Sequence, residues 1–311
     1  MDGILIIDKP VGPTSHDVVD RVRNLLHQKK VGHTGTLDPV ATGVLPLVLG
    51  RATKIARYLT GGDKQYRATF RLGVTTQTLD AEGEVVEERP VNAEEDSVRE
   101  TLDSFVGEIQ QIPPMFSAKK MHGKRLYELA RQGVEVEREP KTVTIHSIDL
   151  VDLSLPDVTV DVRCSAGTYV RVLAQDTGER LGCGGHLKQL RRLAAGPFSI
   201  DEAVTLATLE ADPGSASEHV LPLSRALTEM PRIFVPIHLA RMVVSGHQLS
   251  VADLKALDVP DFAAEQLIAL WLDDGELLAV TRTTMSSSEL NSSRRDRRAL
   301  KTERVLTQMP R

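Results

Sequence analysis

The 311-residue sequence has few of the patterns that mark disulfide-rich, metal-dependent or membrane proteins. Its two cysteines, Cys164 and Cys183, are too few for a disulfide framework and lack CxxC spacing, so we expect two reduced, partly buried thiols. The nine histidines show neither HxxxH nor HExxH spacing, and we therefore expect no metal site. The sequence also contains no apolar run of the ~20 residues that a membrane-spanning helix needs. We therefore expect neither a membrane-spanning segment nor a membrane partner.

Two further signals are missing. The first ten residues place the acidic Asp2 before a short apolar run and contain no small-residue cleavage site, so they do not resemble a signal peptide and indicate a cytoplasmic protein. The glycine-rich segment 30–43 resembles a phosphate-binding loop superficially. It lacks the G-K-[ST] ending, however, and we expect no nucleotide or other organic cofactor there.

The net charge of −5 argues weakly against a nucleic-acid partner, but the acidity is concentrated in one segment. Residues 74–112 carry 2 Lys/Arg against 11 Asp/Glu. The balance is reversed in three other stretches, which carry 11 against 6 (1–73), 7 against 4 (113–145) and 6 against 2 (163–198). If the fold brings these stretches together, they form a basic face on an acidic protein. Charge alone does not distinguish this from ordinary solvated helix faces.

The length predicts two domains, and a change in composition indicates where they meet. Residues 210–219 are polar and turn-rich, and we place the domain boundary at 232. Residues 1–232 would form the first domain. Residues 233–311 contain short strand-like runs and a Ser/Arg-rich insert at 286–298, which predicts a small β-rich second domain.

Hydrophobic periodicity and turn residues predict a mixed order of helices and strands in the first domain. Segment 3–8 is predicted as a strand, Ser15 as the cap of a helix that ends near residue 27, segment 30–43 as a loop, and 44–49 as a buried run. Further strands are predicted around 66–72, 141–152 and 157–164, and helices at 52–59, 92–105, 124–132, 169–181 and 186–194. Without regular βαβ alternation, this pattern predicts an α+β domain with a largely antiparallel sheet.

The loop at 30–43 provides the strongest chemical signal. It places the carboxylate of Asp38 between Leu37 and Pro39, and catalytic residues favour loops that rigid elements hold. The proline disfavours a helical backbone at Asp38. The alternative is an aspartate that caps a turn with its side chain, and the spacing alone leaves both interpretations open.

Four blocks of the first domain resemble the TruB family, the bacterial tRNA pseudouridine-55 synthases. The segment GHTGTLDPVATGVLPLVLGRATK (32–54) is similar to the family's catalytic motif. The other three blocks are the strand 3–10 with its KP ending, KQYRATFRLGVTTQTLDAEG (64–83) and CSAGTYVRVLAQDTGERLGCGGHLKQLRRLAAG (164–196). GELLAV (275–280) and LKTERVL (300–306) more weakly resemble the PUA RNA-binding module.

The resemblance implies a fold and a reaction. The fold is the α+β pseudouridine synthase fold, with a mixed, largely antiparallel central sheet and flanking helices, followed by a small β-rich PUA-like domain. The reaction is the isomerisation of uridine 55 in the T-arm of tRNA to pseudouridine, which consumes no cofactor. Asp38 matches the family's nucleophile, and Arg171 matches the arginine that pairs with it. Tyr66 matches the tyrosine that stacks on the flipped uracil and takes part in moving its C5 proton.

Three further residues match the family's substrate contacts. Tyr169 corresponds to a second pocket tyrosine, Leu190 to an apolar wall, and His33 to the residue that enters the RNA loop and fills the space of the extruded base. From sequence alone, Tyr66 could equally be a core tyrosine, Arg171 a surface arginine on a helix, and Leu190 a core leucine, because leucines at helical spacing usually are.

Residues 113–142 resemble the family's RNA-gripping insertion, in which Lys119, Lys120 and Lys124 would contact the RNA backbone. The implied partner is the T-arm of tRNA, bound by a monomer without a guide RNA, because the short N-terminus and the absence of basic tails favour a stand-alone bacterial enzyme. Two alternatives remain: a pseudouridine synthase that acts on another RNA, and a non-catalytic RNA-binding or tRNA-folding protein.

Overall fold

The structure, a computed structural model, describes residues 1–117, 120–121, 124–130, 132–134 and 136–307, with only the backbone at 120, 121, 124, 125 and 127. The strands in chain order are β1 (Gly3–Lys9), β2 (Val31–His33), β3 (Thr42–Leu49), β4 (Lys64–Leu72), β5 (Val74–Thr76), β6 (Val85–Glu88), β7 (Gly107–Gln111), β8 (Lys120–Met121), β9 (Lys124–Arg125), β10 (Lys141–Ser154), β11 (Asp157–Cys164), β12 (Gly185–Ala195), β13 (Phe198–Ser199), β14 (Val204–Thr205), β15 (Val220–Leu221), β16 (Arg232–Val235), β17 (Leu267–Leu272), β18 (Leu277–Thr283) and β19 (Leu300–Val305).

The helices are short, and most connect neighbouring strands. They are α1 (Ser15–Leu25), α2 (Ala56–Leu59), α3 (Glu95–Asp103), α4 (Leu126–Ala130), α5 (Val170–Arg180), α6 (Leu206–Ala211), α7 (Ile237–Val244) and α8 (Val251–Leu254). Turns of 3-10 helix lie at Gly50–Ile55, Ile200–Glu202, Pro213–Glu218, Leu223–Arg225 and Ser287–Glu289.

One large mixed sheet organises the first 221 residues. Its strands follow the order β14-β1-β3-β12-β4-β11-β10-β7, with β2, β13 and β15 paired at its sides. The pairs β1–β14 and β3–β12 are parallel, and the remaining pairs of this sheet are antiparallel. The α+β class with a largely antiparallel central sheet is therefore confirmed.

Strands β4 and β12 form the centre of this sheet, where one face carries both a core and a polar cleft. Along β4 the buried residues Ala68, Phe70 and Leu72 alternate with more exposed ones, as a half-buried strand requires. Helices α3 and α5 pack against this face. Tyr66 belongs to the same face but lies near the end of the strand, where the packed core gives way to open space.

The prediction of a helix at 186–194 is wrong, because this segment is the central strand β12. Two bulges, between Leu187 and Gln189 and between Arg192 and Ala194, each insert an extra residue into the period of two. The residues paired with the inward face of β4 are therefore Leu187, Leu190 and Arg192, three and then two positions apart. Leucines three positions apart mimic helical periodicity, which explains the incorrect prediction.

Two local predictions near the N-terminus also need correction. Thr14, not Ser15, caps helix α1: its hydroxyl accepts from the Asp17 amide, and the Asp17 carboxylate accepts from the Thr14 amide. Ser15 is the first helical residue, and its side chain is buried against the neighbouring loop. The segment 30–43 is not loop throughout, because β2 and the start of β3 leave only residue 30 and residues 34–41, the Asp38 loop, outside strands.

Strands between residues 232 and 305 form a second, four-stranded sheet in the order β16-β17-β18-β19. A buried apolar cluster from residues 233–300 packs this sheet against α7 and α8, two helices that the sequence analysis did not predict. The opposite face contacts the large sheet through Ala269, Trp271 and Val280, which pack with residues of β1 and β3. The boundary at residue 232 and the assignment of two domains remain our proposal.

Candidate active site

A cavity of about 240 Å³ opens on the polar side of the central strands. It collects side chains from distant parts of the chain: the Asp38 loop, β4, the start of α5, β12 and the segment after β7. Its lining residues are Thr36, Leu37, Asp38, Tyr66, Ser117, Gly167, Thr168, Tyr169, Val170, Arg171 and Leu190. Five residues singled out from the sequence therefore meet here: Asp38, Tyr66, Tyr169, Arg171 and Leu190.

Buried polar side chains hold the Asp38 loop from below. The Ser15 hydroxyl donates to the Leu37 carbonyl (2.9 Å) and accepts from the Leu37 amide (2.8 Å). The Lys9 ammonium, fully buried, donates to the carbonyls of Pro10, Pro13 and Pro39 at 2.8, 2.9 and 3.2 Å. Burial lowers the pKa of Lys9 to about 8, although the nearby Asp38 carboxylate acts in the opposite direction.

Arg192 is the third buried anchor, with 2% of its surface exposed. Its guanidinium donates to the carbonyls of Val44 (2.6 Å), Thr36 (3.2 Å) and Gly35 (3.3 Å), so one side chain joins the loop to β3. The backbones are close here: a Cβ at Gly43, where φ is +99°, would lie 2.2 Å from the Arg192 carbonyl oxygen. Only glycine fits this position.

Arg171 joins two carboxylates. Its Nη2 donates to Asp38 Oδ2 at 2.9 Å and its Nη1 to Asp80 Oδ2 at 3.1 Å. Asp80 is buried, whereas the Asp38 side chain is 45% exposed toward the cavity. The same guanidinium also donates to the carbonyls of Thr78 (3.4 Å) and Phe116 (3.1 Å). The arginine is thus fixed on all sides and orients an accessible carboxylate through a charge-assisted hydrogen bond.

Asp80 was not predicted as a site residue from the sequence. It lies within the block 64–83, but no local pattern distinguishes it from other acidic turn residues of the acidic segment 74–112. Its burial and its pairing with Arg171 depend on α5, which follows 90 residues later in the sequence. The arrangement places one negative charge on each side of the guanidinium, so Arg171 cannot turn away from Asp38 without breaking the Asp80 contact.

Tyr66 lies beside Asp38 at the floor of the cavity. Burial raises the pKa of the Tyr66 phenol, and the nearby Arg192 guanidinium opposes this rise without reversing it. The phenol is therefore neutral near pH 7. It can donate a proton or relay one, but it does not act as a free phenolate base. Together with Leu190, its ring gives the cavity the apolar surfaces that a planar ligand requires.

Gln111 holds Tyr169 from the end of β7. Its side-chain amide donates to the Tyr169 carbonyl (3.2 Å) and accepts from the Tyr169 amide (2.9 Å), and the residue is 1% exposed. Because Tyr169 is the N-cap of α5 and Arg171 is the second residue of that helix, this pair fixes the start of the helix that carries the guanidinium. No local pattern in the sequence marks Gln111.

His33 does not line the cavity but lies at the end of β2, next to the Asp38 loop. Its Nδ1 is buried and has no hydrogen-bond partner among the described residues. Burial lowers the pKa of His33, and the charges of His16 and Arg192 lower it further, so its ring is neutral near pH 7.

The predicted RNA-backbone lysines cannot be placed in the same way. Lys119 lies outside the described residues, and only the backbone of Lys120 and Lys124 is described, in the paired strands β8 and β9. Within the described ranges, no group of three or more His, Cys, Asp or Glu side chains is arranged to hold a metal ion. In the same residues no helix is long and apolar enough to span a membrane.

Comparison with known proteins gives consistent matches over most of the chain. Residues 23–170 match the family model of the TruB family pseudouridylate synthase N-terminal domain, and residues 171–228 match that of the tRNA pseudouridylate synthase B C-terminal domain. A tRNA pseudouridine synthase B of Burkholderia mallei is 48% identical over 285 residues, which are 91% of this chain and 94% of the relative. That of Aromatoleum aromaticum is 49% identical over 251 residues, 80% of this chain and 82% of the relative.

Among solved structures, a chain from the crystal structure of a Cbf5-Nop10-Gar1 complex superposes with a TM-score of 0.78 at 28% identity. The match covers 98% of this chain and 85% of that chain. The similarity therefore extends over nearly the whole fold, including the second sheet.

Proposed function

The chain belongs to the TruB family of pseudouridylate synthases, and we propose that it converts uridine 55 in the T-arm of tRNA to pseudouridine, with Asp38 as the nucleophile. The relatives at 48–49% identity are named tRNA pseudouridine synthase B, which supports tRNA as the substrate of this pseudouridine synthase. The observation on which the proposal rests is the Asp38–Arg171 hydrogen bond of 2.9 Å inside a cavity floored by Tyr66.

The reaction requires what this cavity contains. The bond between C1′ of the ribose and N1 of uracil breaks, and a bond between C1′ and C5 forms. The proton on C5 leaves, and N1 gains a proton, so atoms and electrons balance within one nucleotide. A carboxylate can form the transient covalent bond that holds one fragment during this exchange. In our proposal Asp38 attacks either C6 of the base or C1′, and the hydrogen bond from Arg171 orients its carboxylate.

Tyr66 and Leu190 would contact the uracil ring in this mechanism. The target base is stacked inside a folded RNA loop and must be extruded before Asp38 can reach it. We propose that the extruded ring stacks on Tyr66, that Leu190 covers its edge, and that the neutral His33 fills the space that the base leaves. The phenol of Tyr66 would then relay the C5 proton rather than remove it as a preformed base, because its pKa is raised.

The rest of the chain would hold the RNA. The basic stretches 113–145 and 163–198 both contain residues that line the cavity. They would supply phosphate contacts, including those proposed for Lys119, Lys120 and Lys124. The second sheet from Arg232 onward would be a PUA-like RNA-binding domain. We propose that the enzyme acts in the cytoplasm as a monomer and without a guide RNA. The higher identity to the tRNA pseudouridine synthase B relative (48%) than to the chain of the Cbf5-Nop10-Gar1 complex (28%) supports only the stand-alone mode of action.

The test of the proposed function compares wild type with Asp38→Asn on tRNA made by transcription, without any other protein or RNA. Wild type should convert one uridine, read site by site by mass spectrometry, and the variant should fold, bind the tRNA and form no product. Turnover of Asp38→Asn near the wild-type rate would refute the nucleophile. Activity of the wild type that required an added guide RNA would favour the RNA-guided alternative, and failure of wild type on any RNA would favour a non-catalytic RNA-binding protein.

A further inference from the structure

Ser117 presents a buried hydroxyl with no assigned task at the wall of the cavity. The residue is 5% exposed, and its Oγ has no hydrogen-bond partner in the part of the chain that the structure describes. The other buried serine of the described core, Ser15, has its hydroxyl paired to the Leu37 backbone. An unpaired buried hydroxyl weakens a fold, so its presence beside a reactive carboxylate indicates a partner that arrives with the substrate.

The position of Ser117 is fixed relative to Asp38. The preceding residue, Phe116, accepts a hydrogen bond from Arg171 Nη2 at 3.1 Å, and the same nitrogen donates to Asp38 Oδ2. Five residues before Phe116, the Gln111 side chain is hydrogen-bonded to the Tyr169 backbone. The segment that carries Ser117 is therefore joined at two points to the helix start that orients the carboxylate. Since Asp38 and Ser117 both line the cavity, a ligand that fills it can contact both at defined places.

Two other donors in the cavity lining, Arg171 and Thr168, already have partners within the protein, whereas Ser117 has none among the described residues. The two terminal nitrogens of Arg171 are already bonded to Asp38, Asp80 and two backbone carbonyls. The Thr168 hydroxyl donates to the Ser165 carbonyl at 2.9 Å. A uracil ring in this cavity presents two carbonyl oxygens, and a site that leaves a buried carbonyl unpaired loses affinity and selectivity.

We propose that the Ser117 hydroxyl donates a hydrogen bond to a carbonyl oxygen of the extruded uracil and so contributes to recognition of the base. This inference rests on the proposed function, since it assumes a uridine in the cavity. Recognition by an edge hydrogen bond complements stacking on Tyr66, because every base has a flat face but few present a carbonyl at the same place.

The test is a double-mutant cycle between enzyme and substrate. Single-turnover rates are measured for wild type and Ser117→Ala on three T-arm stem-loop RNAs, with uridine, 2-thiouridine or 4-thiouridine at the target position. Sulfur accepts hydrogen bonds poorly, so one thio-substitution should remove the partner of Ser117. On the uridine RNA, Ser117→Ala should be about 3- to 10-fold slower, the size of one neutral hydrogen bond. On one thio RNA the two enzymes should react at nearly the same rate.

Ser15→Ala is the matched control. It also removes a buried serine hydroxyl, and any loss of rate should be the same on all three RNAs, because Ser15 contacts the loop backbone and not the cavity. The two variants should change the melting temperature differently. Ser15→Ala loses paired hydrogen bonds and should melt below wild type, whereas Ser117→Ala removes an unpaired hydroxyl and should melt at or above wild type.

The outcomes separate the two claims. If Ser117→Ala slows all three RNAs by the same factor, or destabilises the protein as Ser15→Ala does, the inference is overturned and the proposed function stands. If wild type fails on the uridine RNA and on full-length tRNA alike, the proposed function is wrong and the inference falls with it.

Discussion

The Asp38 loop and the second sheet are stabilised by opposite kinds of interaction. The loop has no strand or helix of its own between residues 34 and 41, and hydrogen bonds from buried Lys9, Ser15 and Arg192 to backbone groups hold it in place. The second sheet is held by a continuous apolar cluster from residues 233–300. The loop can therefore keep a reactive carboxylate exposed and still rigid, because directional hydrogen bonds from beneath add to the burial of its side chains Thr34, Leu37 and Ala41.

The largest effect is expected from breaking the polar support at Arg192. Arg192→Met keeps much of the side-chain volume but leaves the carbonyls of Gly35, Thr36 and Val44 without this donor. We expect a loss of about 3–5 kcal/mol in the free energy of unfolding. The single-turnover rate at a temperature where the variant is folded should also fall at least about 100-fold, because Asp38 loses its position. A variant that is destabilised but keeps the wild-type rate would show that the loop does not depend on Arg192.

A comparable loss of stability in the second sheet should leave the chemistry untouched. Leu270 is fully buried in the apolar cluster, and Leu270→Ala should cost about 2–5 kcal/mol by chemical denaturation. The single-turnover rate at saturating tRNA should remain within about 2-fold of wild type. This variant is the stability control for Arg192→Met, and a large fall in its rate would mean that stability alone governs both results.

Tyr66 lies where the two kinds of support meet, since it contacts both the apolar core of the large sheet and the cavity. If its phenol relays a proton, Tyr66→Phe should keep tRNA binding and lower the single-turnover rate about 100-fold. Tyr66→Leu should be as slow, with little change in melting temperature. Near-wild-type turnover of Tyr66→Phe would show that the phenol does not relay a proton and would leave stacking as the role of Tyr66. A large loss of stability in both variants would show that Tyr66 is a structural core residue.

The smallest expected effect is a pH dependence caused by Lys9. Its pKa of about 8 in the folded protein lies below its ordinary value of 10.5, so the unfolded chain binds more protons between these two values. Stability from this group therefore rises with pH: the cost of burying the ammonium is fully present below pH 7 and is relieved as the pH passes 8. Relative to Lys9→Met, wild type should gain about 1 kcal/mol in free energy of unfolding between pH 7 and pH 9. A constant difference across this range would contradict the lowered pKa.

The sequence by itself determined the parts that depend on local pattern. The alternation along β4, the strand β1, the buried run of β3 and a helix at 169–181 follow from periodicity and turn residues, and the structure confirms these elements, with the helix at Val170–Arg180. The position of Asp38 in a glycine- and threonine-rich loop was also visible locally. The strand β12 was not, because two bulges gave its leucines a spacing that resembles a helix.

Only the tertiary structure decided which polar residues are buried and what they contact. Arg191 and Arg192 are neighbours in one basic stretch, yet the second is 2% exposed and supports the Asp38 loop. Asp80 and Ser117 resemble surface residues in sequence, but they lie against Arg171 and the cavity. Their roles depend on contacts between segments tens of residues apart, and such contacts leave no period or motif in the chain. The physical reason is that the burial of a polar side chain depends on distant partners, whereas a strand or helix is encoded in its own residues.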